Sequence, residues 1–354
     1  MQYIQPRPSS IVAALYTLRD LQVDVAILHG PSGCSFKHAR LLEEDGIRVL
    51  TTSLGDEEFI FGGHMVLEDV LRYAEQTFEP KRIAVVGTCV SMIIGEDMEG
   101  CIQSSGITTP AIAVSIHAGF RENIDGVLAV LEPAMRAGWI SREEYARQRM
   151  VLLAANETER ARGAASKKYI APSRGDLKHR AAAELLDCLR SGKKGMAILN
   201  AKKETAYMFA DHLCAVREAA PDANLVYAAN LEQRGLPKVR QDARAVLSDL
   251  NSRGIFPRLI GSLDEYGQNG PRIAEEIEKE KPDFLILTGV PHAVLPEVLS
   301  GITVFSMTNG PRQYQPLKEQ GHDFVIVEID LHPKTLGISH IVESEFGAVL
   351  RSMI

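Results

Sequence analysis

The sequence has no run of about 18 uninterrupted apolar residues, which is the length that a membrane-spanning helix requires. Its first ten residues, MQYIQPRPSS, contain no apolar segment of the kind that a signal peptide carries. We therefore expect a cytoplasmic chain with no membrane partner.

Basic residues are in the minority. The chain has 39 Lys and Arg against 46 Asp and Glu, which gives a net charge of -7. A negative overall field repels the phosphate backbone of DNA and RNA. We therefore do not expect a nucleic acid partner.

Two common nucleotide-binding motifs are also missing. No G-x-x-x-x-G-K-[ST] occurs, and the nearest string, SGKKG at 191–195, lacks the first glycine and the hydroxyl. No G-x-G-x-x-G follows a predicted strand. The chain is therefore not expected to bind ATP through a P-loop or a dinucleotide through that fingerprint.

Cysteine is sparse, with five in 354 residues. An odd number of widely spaced cysteines does not suggest a secreted disulfide framework. Reduced thiols and metal ligands both remain open as roles for these side chains.

Short apolar runs alternate with amphipathic segments along most of the chain. The runs are nearly continuous in apolar residues, which is typical of parallel strands covered on both faces. We predict an α/β fold with tandem doubly wound (Rossmann-like) parallel sheets, in which an N-terminal domain at 1–140 carries the important cysteines. A helical, basic connector is expected at 141–194, and a C-terminal α/β region at 195–354. The predicted strands are 23–29, 47–54, 82–88, 111–116, 195–200, 224–230, 256–262, 283–289, 302–307 and 323–329.

Two of the cysteines occupy matched positions. Cys34 follows the first predicted strand in the loop HGPSGCSF, and Cys89 follows the third strand after Gly87 and Thr88. In a sheet of order 2-1-3-4 these strands are neighbours at the topological switch point, so both thiols are expected to face one crevice. A position at a helix N-terminus favours the thiolate form.

The alternative is that each cysteine is a small buried hydrophobic residue, as most free cysteines are. We expect that role for Cys188 and Cys214, which lie in apolar stripes of predicted helices. Cys101 lies 12 residues after Cys89, too far along a helix to share a small cluster unless the chain turns.

Two thiolates do not complete a tetrahedral zinc site or an iron-sulfur cluster, each of which usually has four protein ligands. A two-fold axis through the crevice would supply a second pair from another copy of the chain. The pattern therefore predicts an obligate homodimer in which Cys34 and Cys89 of each chain hold one shared cluster.

Four motifs in fixed order carry a family resemblance. They are HGPSGC (29–34), TTSLGDEEFIFGGHMVLEDVL (51–71), GTCVSMIIGED (87–97) and VSIHAGFRENIDGVLAVL (114–131). Together they resemble the signature of nitrogenase component 1 and its relatives, closely over the first 135 residues and beyond that only as α/β architecture. The resemblance implies that Cys34 and Cys89 are metal ligands, binding a 4Fe-4S cluster shared across a homodimer.

The departures from the family pattern are informative. Nitrogenase-type chains usually carry a further cluster cysteine upstream, where this sequence has Ser9 and Ser10. The chain is also short, and its second half has no evident Cys and His pair for an iron-molybdenum cofactor. In these respects the chain is most similar to the component-1-like subunit of a group of reductive cyclases. Those enzymes act on a nickel tetrapyrrole, nickel-sirohydrochlorin a,c-diamide, in coenzyme F430 biosynthesis.

That resemblance implies an oxidoreductase with a separate partner. A nitrogenase-reductase-like ATPase would deliver electrons through the cluster, and this chain would reduce and cyclise the nickel tetrapyrrole, so nickel would enter only with the substrate. His38, His64 and His117 lie near the cluster-side loops and could donate protons, although ordinary surface or supporting roles are the alternative. Catalytic residues and those contacting the tetrapyrrole are not identified by the sequence.

Three alternatives remain open. The chain could be a subunit of another tetrapyrrole reductase acting on a chlorin. It could be a non-catalytic scaffold on which a nitrogenase-like cofactor is assembled. It could also be a metal-free binding protein with two α/β lobes, in which Cys34 and Cys89 are merely buried.

Overall fold

The structure, a computed structural model, describes residues 9–120, 123–164, 169–329 and 334–354. These residues form two compact units. The first unit comprises the described residues up to Met150 together with Leu236–Lys238. The second unit comprises the described residues of Val151–Gly235 and Val239–Ile354.

The first unit contains a four-stranded parallel sheet in the order β2-β1-β3-β4. Every residue of β1 and of β3 is buried, which explains why these strands are nearly continuous in apolar residues. The predicted strands and the predicted order 2-1-3-4 are therefore confirmed. The strands are β1 (Val25–His29), β2 (Arg48–Thr51), β3 (Ile83–Gly87) and β4 (Ala111–Val114).

Helices connect the strands of the first sheet or lie before and after them in the chain, and the last of these helices continues past Met150 into the second unit. The first helix begins after Ser9, whose hydroxyl accepts a hydrogen bond from the backbone N–H of Val12 and so caps the helix. The helices are α1 (Ser10–Asp20), α2 (Phe36–Glu43), α3 (Asp56–Phe61), α4 (His64–Phe78), α5 (Cys89–Ile94), α6 (Met98–Ser104), α7 (Asn123–Arg136) and α8 (Arg142–Ala161).

The second unit contains a six-stranded parallel sheet in the order β10-β9-β8-β5-β6-β7. The order reverses between β5 and β8, so this sheet has its own switch point. Its strands are β5 (Gly195–Asn200), β6 (Leu225–Ala229), β7 (Arg258–Leu259), β8 (Phe284–Gly289), β9 (Thr303–Thr308) and β10 (Phe324–Val327). All six strands predicted in this half are confirmed.

The remaining helices accompany the second sheet. They are α9 (Lys178–Arg190), α10 (Ala206–Ala219), α11 (Pro237–Ser252), α12 (Gly270–Glu280), α13 (Tyr314–Glu319) and α14 (Glu345–Arg351), with 3₁₀ turns at Pro291–Ala293 and Pro296–Leu299. None of the described helices combines the length and apolar character needed to cross a membrane.

The stretch 141–194, predicted as a helical and basic connector, contains α8 and α9. Residues 165–168 of this stretch lie outside the described residues. The predicted domain limits at 140 and 194 stay predictions.

A buried carboxylate joins three elements of the second unit. Glu328, which follows β10, accepts a hydrogen bond from the backbone N–H of Phe346 at 2.9 Å and lies 3.2 Å from Nε2 of His212 on α10. The side chains of His212 and Glu328 are 0% and 1% exposed. Burial alone would raise the pKa of Glu328, but the His212 ring and the Phe346 N–H outweigh it and hold the pKa below its usual value.

We expect Glu328→Gln to lower the free energy of unfolding by about 3–5 kcal/mol, because the amide leaves the buried partners of the carboxylate unsatisfied. Because the folded pKa is lowered, the ionised carboxylate stabilises the fold above pH 4.5 or so, and this contribution is lost as the pH falls through the folded pKa. The difference between the two proteins in urea unfolding should therefore shrink in acid. Glu345→Gln, on an exposed side chain of α14, is the control and should change the stability by less than about 0.5 kcal/mol.

Candidate functional site

The two cysteines singled out by the sequence lie at the carboxyl edge of the first sheet. Cys34 is in the loop between β1 and α2, and Cys89 is the first residue of α5, just after β3. The two strands are hydrogen-bonded neighbours, with His29 paired to Gly87 at their ends. The structure therefore brings both loops to the switch point of the sheet, where ligands of doubly wound folds bind.

The two loops approach each other closely because one position carries no side chain. A Cβ atom built on Gly30 would lie only 2.2 Å from Oγ1 of Thr88. The Thr88 hydroxyl donates a hydrogen bond to the backbone oxygen of His29 at 3.0 Å, and the Gly30 N–H donates to the Thr52 hydroxyl at 3.0 Å. Glycine at position 30 thus allows the backbone before Cys34 to pack against the residue before Cys89.

The thiol environments differ from the sequence-based expectation at one of the two sites. Burial and the neighbouring negative charge of Cys89 raise the pKa of Cys34. Cys34 does not begin a helix: its N–H donates to the Pro31 oxygen within the loop, and Ser35, with φ of 55°, precedes α2. The predicted stabilisation of a Cys34 thiolate by a helix N-terminus is therefore wrong.

Cys89 has the expected position at the start of a helix. It is exposed, and its Sγ accepts a hydrogen bond from the backbone N–H of Ala118 at 3.3 Å. Hydrogen bonds to cysteine sulfur are among the features that tune iron-sulfur clusters.

The two sulfurs are close enough for the charge on Cys89 to raise the pKa of Cys34. Two adjacent thiolates repel each other, so a cation between them would relieve that repulsion. The donor set therefore fits a cluster or metal ion, to which one chain would contribute two of the usual four ligands.

The other histidines and cysteines considered in the sequence have ordinary surroundings, with one exception. Nδ1 of His117 accepts a hydrogen bond from the Gly119 N–H at 3.0 Å, and His38 lies in α2. Cys188 is half-buried in α9, and Cys214 is buried in α10, where burial raises its pKa to about 12. Proton donation by the histidines stays a prediction.

The exception is a cluster that the sequence reasoning missed. The chain does turn after α5, so Cys101 on α6 lies beneath the start of α4, where its Sγ is 3.0 Å from Nδ1 of His64. Glu96, in the turn, brings a carboxylate oxygen to within 4.8 Å of the Cys101 sulfur and of a ring nitrogen of His64. One feature of the sequence could have indicated this cluster, namely the two glycines before His64. They allow the backbone at the start of α4 to approach the turn that contains Glu96.

A second polar cluster lies at the switch point of the second sheet. Lys202 follows β5 and His292 follows β8, and both contact Glu159, with Nζ at 2.9 Å and Nε2 at 3.3 Å from Oε1. Burial would raise the pKa of Glu159, but the charges of Lys202 and His292 hold it well below its usual value. Sequence reasoning passed over these residues, although the switch-point rule applied to β5 and β8 would have found two of them.

Comparison with known proteins places the chain in a family. A family model described as "Nitrogenase component 1 type Oxidoreductase" matches residues 9–163. The "Ni-sirohydrochlorin a,c-diamide reductive cyclase complex, component CfbD" of Methanosarcina acetivorans is 55% identical over 99% of this chain and 97% of its own length. The protein of the same name from Methanothermobacter thermautotrophicus is 46% identical over 99% of this chain and 99% of its own length. The one from Methanocaldococcus jannaschii is 41% identical over 98% of this chain and 97% of its own length.

Similarity at this level over nearly the whole length extends well beyond the cysteine loops. It includes the second unit, for which the sequence motifs indicated only an α/β architecture. The chain therefore belongs to the nitrogenase-like oxidoreductases, in the family of CfbD components of Ni-sirohydrochlorin a,c-diamide reductive cyclase complexes.

Proposed function

We propose that this chain is the catalytic subunit of an ATP-dependent reductive cyclase that reduces and cyclises Ni-sirohydrochlorin a,c-diamide in coenzyme F430 biosynthesis. The observation that carries this proposal is the similarity over nearly the full length to CfbD components, which are named for that substrate and reaction. The pair of thiols at the first switch point supports it, because a reductase of this type needs a centre that accepts single electrons.

The electron-accepting centre is a 4Fe-4S cluster bound by Cys34 and Cys89 of two chains. A cluster held by these cysteines would supply single-electron transfer to the substrate. The close approach of the two loops at Gly30 and the N–H of Ala118 at the Cys89 sulfur support this assignment.

A second copy of this chain completes the cluster. An apolar patch, defined here as the exposed large hydrophobic side chains near the two cysteines, supports the homodimer. Helices α3 and α5 lie against each other. Phe61 on α3 is 82% exposed, and Ile93 on α5 is 72% exposed. Exposed apolar side chains grouped in this way are typical of protein interfaces. The patch consists of Phe36, Phe59, Ile60, Phe61, Met65, Met92 and Ile93.

The electrons come from a separate nitrogenase-reductase-like ATPase. The relatives are named as components of a complex, which supports a partner subunit. The sequence of this chain contains no P-loop motif, so ATP hydrolysis is assigned to the partner.

We expect the anaerobically purified chain, mixed with such a reductase, ATP, a reductant and Ni-sirohydrochlorin a,c-diamide, to form a reduced, ring-closed product. The product is detected by its absorbance and its mass. Omitting ATP is the control and should stop conversion. Reduction of a magnesium chlorin without conversion of the nickel compound would instead assign the chain to a chlorin reductase, and conversion of neither would contradict the catalytic role.

A further inference from the structure

Three potential metal ligands meet where the start of α4 contacts the turn between α5 and α6. They are His64 on α4, Glu96 in the turn and Cys101 on α6. One ring nitrogen of His64, one carboxylate oxygen of Glu96 and the Cys101 Sγ all lie within 4.8 Å of one another, and Nδ1 of His64 is 3.0 Å from that Sγ. These are three different donor types converging on one point from three separate segments.

The spacing fits a small metal ion. Zinc bonds of about 2.0–2.3 Å in a tetrahedral arrangement place neighbouring ligand atoms roughly 3–4 Å apart. The widest separation, at most 4.8 Å, would close by roughly 1 Å, and the 3.0 Å between Nδ1 and Sγ would open by roughly 0.5 Å; side-chain rotation can supply both changes.

Two of the potential ligands, His64 and Glu96, are also held by supporting contacts. Nε2 of His64 lies 2.9 Å from Oε1 of Glu68, one turn further along α4, and Glu68 in turn contacts Arg72. A histidine that binds a metal through one nitrogen commonly donates its other N–H to a carboxylate in this way, which fixes the ring. The Glu68 contact at Nε2 turns Nδ1 toward the Cys101 sulfur, so this nitrogen already has the orientation that a metal ligand would need.

Glu96 is fixed by a close backbone approach. Its carboxylate accepts a hydrogen bond from the Gly63 N–H at 2.7 Å and lies 3.5 Å from Nε2 of His29. A Cβ atom on Gly63 would lie 2.9 Å from the His29 ring and 3.3 Å from the Glu96 carboxylate, so only glycine leaves the space for this packing.

The charge and the access of the site suit a cation. Two carboxylates lie beside the His64 ring, that of Glu96 within 4.8 Å and that of Glu68 at 2.9 Å from Nε2. A divalent ion balances one thiolate and one carboxylate. The side chain of Cys101 is fully buried, whereas that of His64 is 47% exposed, so an ion can reach the site from solvent past the imidazole ring.

We propose that His64, Glu96 and Cys101 bind one divalent metal ion of the zinc class, with the fourth coordination position open to water. Sulfur, imidazole and carboxylate ligands together suit zinc, and three protein ligands with one open position are typical of zinc sites that bind a further ligand. The site uses neither Cys34 nor Cys89, and it does not depend on the reductive cyclase activity.

The test measures zinc in the full-length protein after equilibration with buffered Zn²⁺ under anaerobic conditions. We expect about one zinc per chain, with X-ray absorption showing one sulfur and two or three nitrogen or oxygen ligands. His64→Ala should weaken zinc binding at least 100-fold, and Glu68→Gln should weaken it about 10–100-fold because the ring loses its orienting carboxylate.

The controls separate this site from the other thiols. Cys34→Ser should retain the zinc, since that thiol is not a ligand, and Cys188→Ser should also retain it. Cys101→Ser should lose the zinc. Because Cys101 is buried, this variant could fail to fold for reasons unrelated to metal binding. His64→Ala alters a half-exposed side chain and therefore tests the site independently. Zinc binding that is absent in the unaltered protein, or that persists in His64→Ala, would overturn the proposal and leave the Cys101–His64 contact as a packed hydrogen bond.

Discussion

We expect Cys89→Ser to reduce the iron content from about four atoms per pair of chains to nearly none and to lower ATP-dependent turnover to the background rate. Cys89 is exposed at the start of α5, and its sulfur supplies one ligand from each chain of the proposed dimer. Two of the four cluster ligands are therefore lost by one substitution, and a serine hydroxyl is a poor replacement for thiolate. Iron analysis and the electronic absorption of the anaerobic protein measure the effect.

Cys34→Ser is expected to have the same effect, because the two thiols of a chain act together. Cys188→Ser is the matched control: Cys188 is also half-buried, but it lies on α9 in the second unit. It should keep both the iron and the turnover. Full iron content in Cys89→Ser would show that the cluster is held elsewhere and would contradict Cys34 and Cys89 as its ligands.

The second large effect is expected from Ile93→Asp in the apolar patch. Burying an isoleucine side chain contributes about 1.5–3 kcal/mol to the free energy of association. In a two-fold dimer both chains carry the substitution, so this contribution is lost twice. The loss of roughly 3–6 kcal/mol corresponds to a dimer dissociation constant that is roughly 140- to 20,000-fold higher, before the cost of burying the aspartate is added. Anaerobic sedimentation velocity should show a monomer.

The iron content gives this prediction a second readout. The monomeric variant should lose its iron although Cys34 and Cys89 are both unchanged, because one chain supplies only half of the ligands. Phe256→Asp is the control, since Phe256 is 74% exposed but lies in the second unit, and it should leave the dimer intact. A stable, iron-containing dimer of Ile93→Asp would place the interface on another surface.

Much of the fold followed from local patterns. Strands such as Ile83–Gly87 and Phe284–Gly289 are buried on both faces, so their sequences are apolar throughout and bounded by helical segments. Once the strands were identified, the rules for connecting parallel strands indicated the order of the first sheet and the meeting of the Cys34 and Cys89 loops at its switch point.

The sequence by itself determined the two parallel sheets and the position of Cys34 and Cys89, because apolar periodicity and short-range turn signals are local properties. Only the tertiary structure decided that Cys101 meets His64 and Glu96, that the pKa of Cys34 is raised, and that Phe61 and Ile93 are exposed. Those features depend on how a turn directs α6 back beneath α4 and on which neighbours cover each side chain. The distances between atoms of different segments, and the extent to which each side chain is shielded from water, are set by tertiary packing. No local pattern in the sequence records that packing.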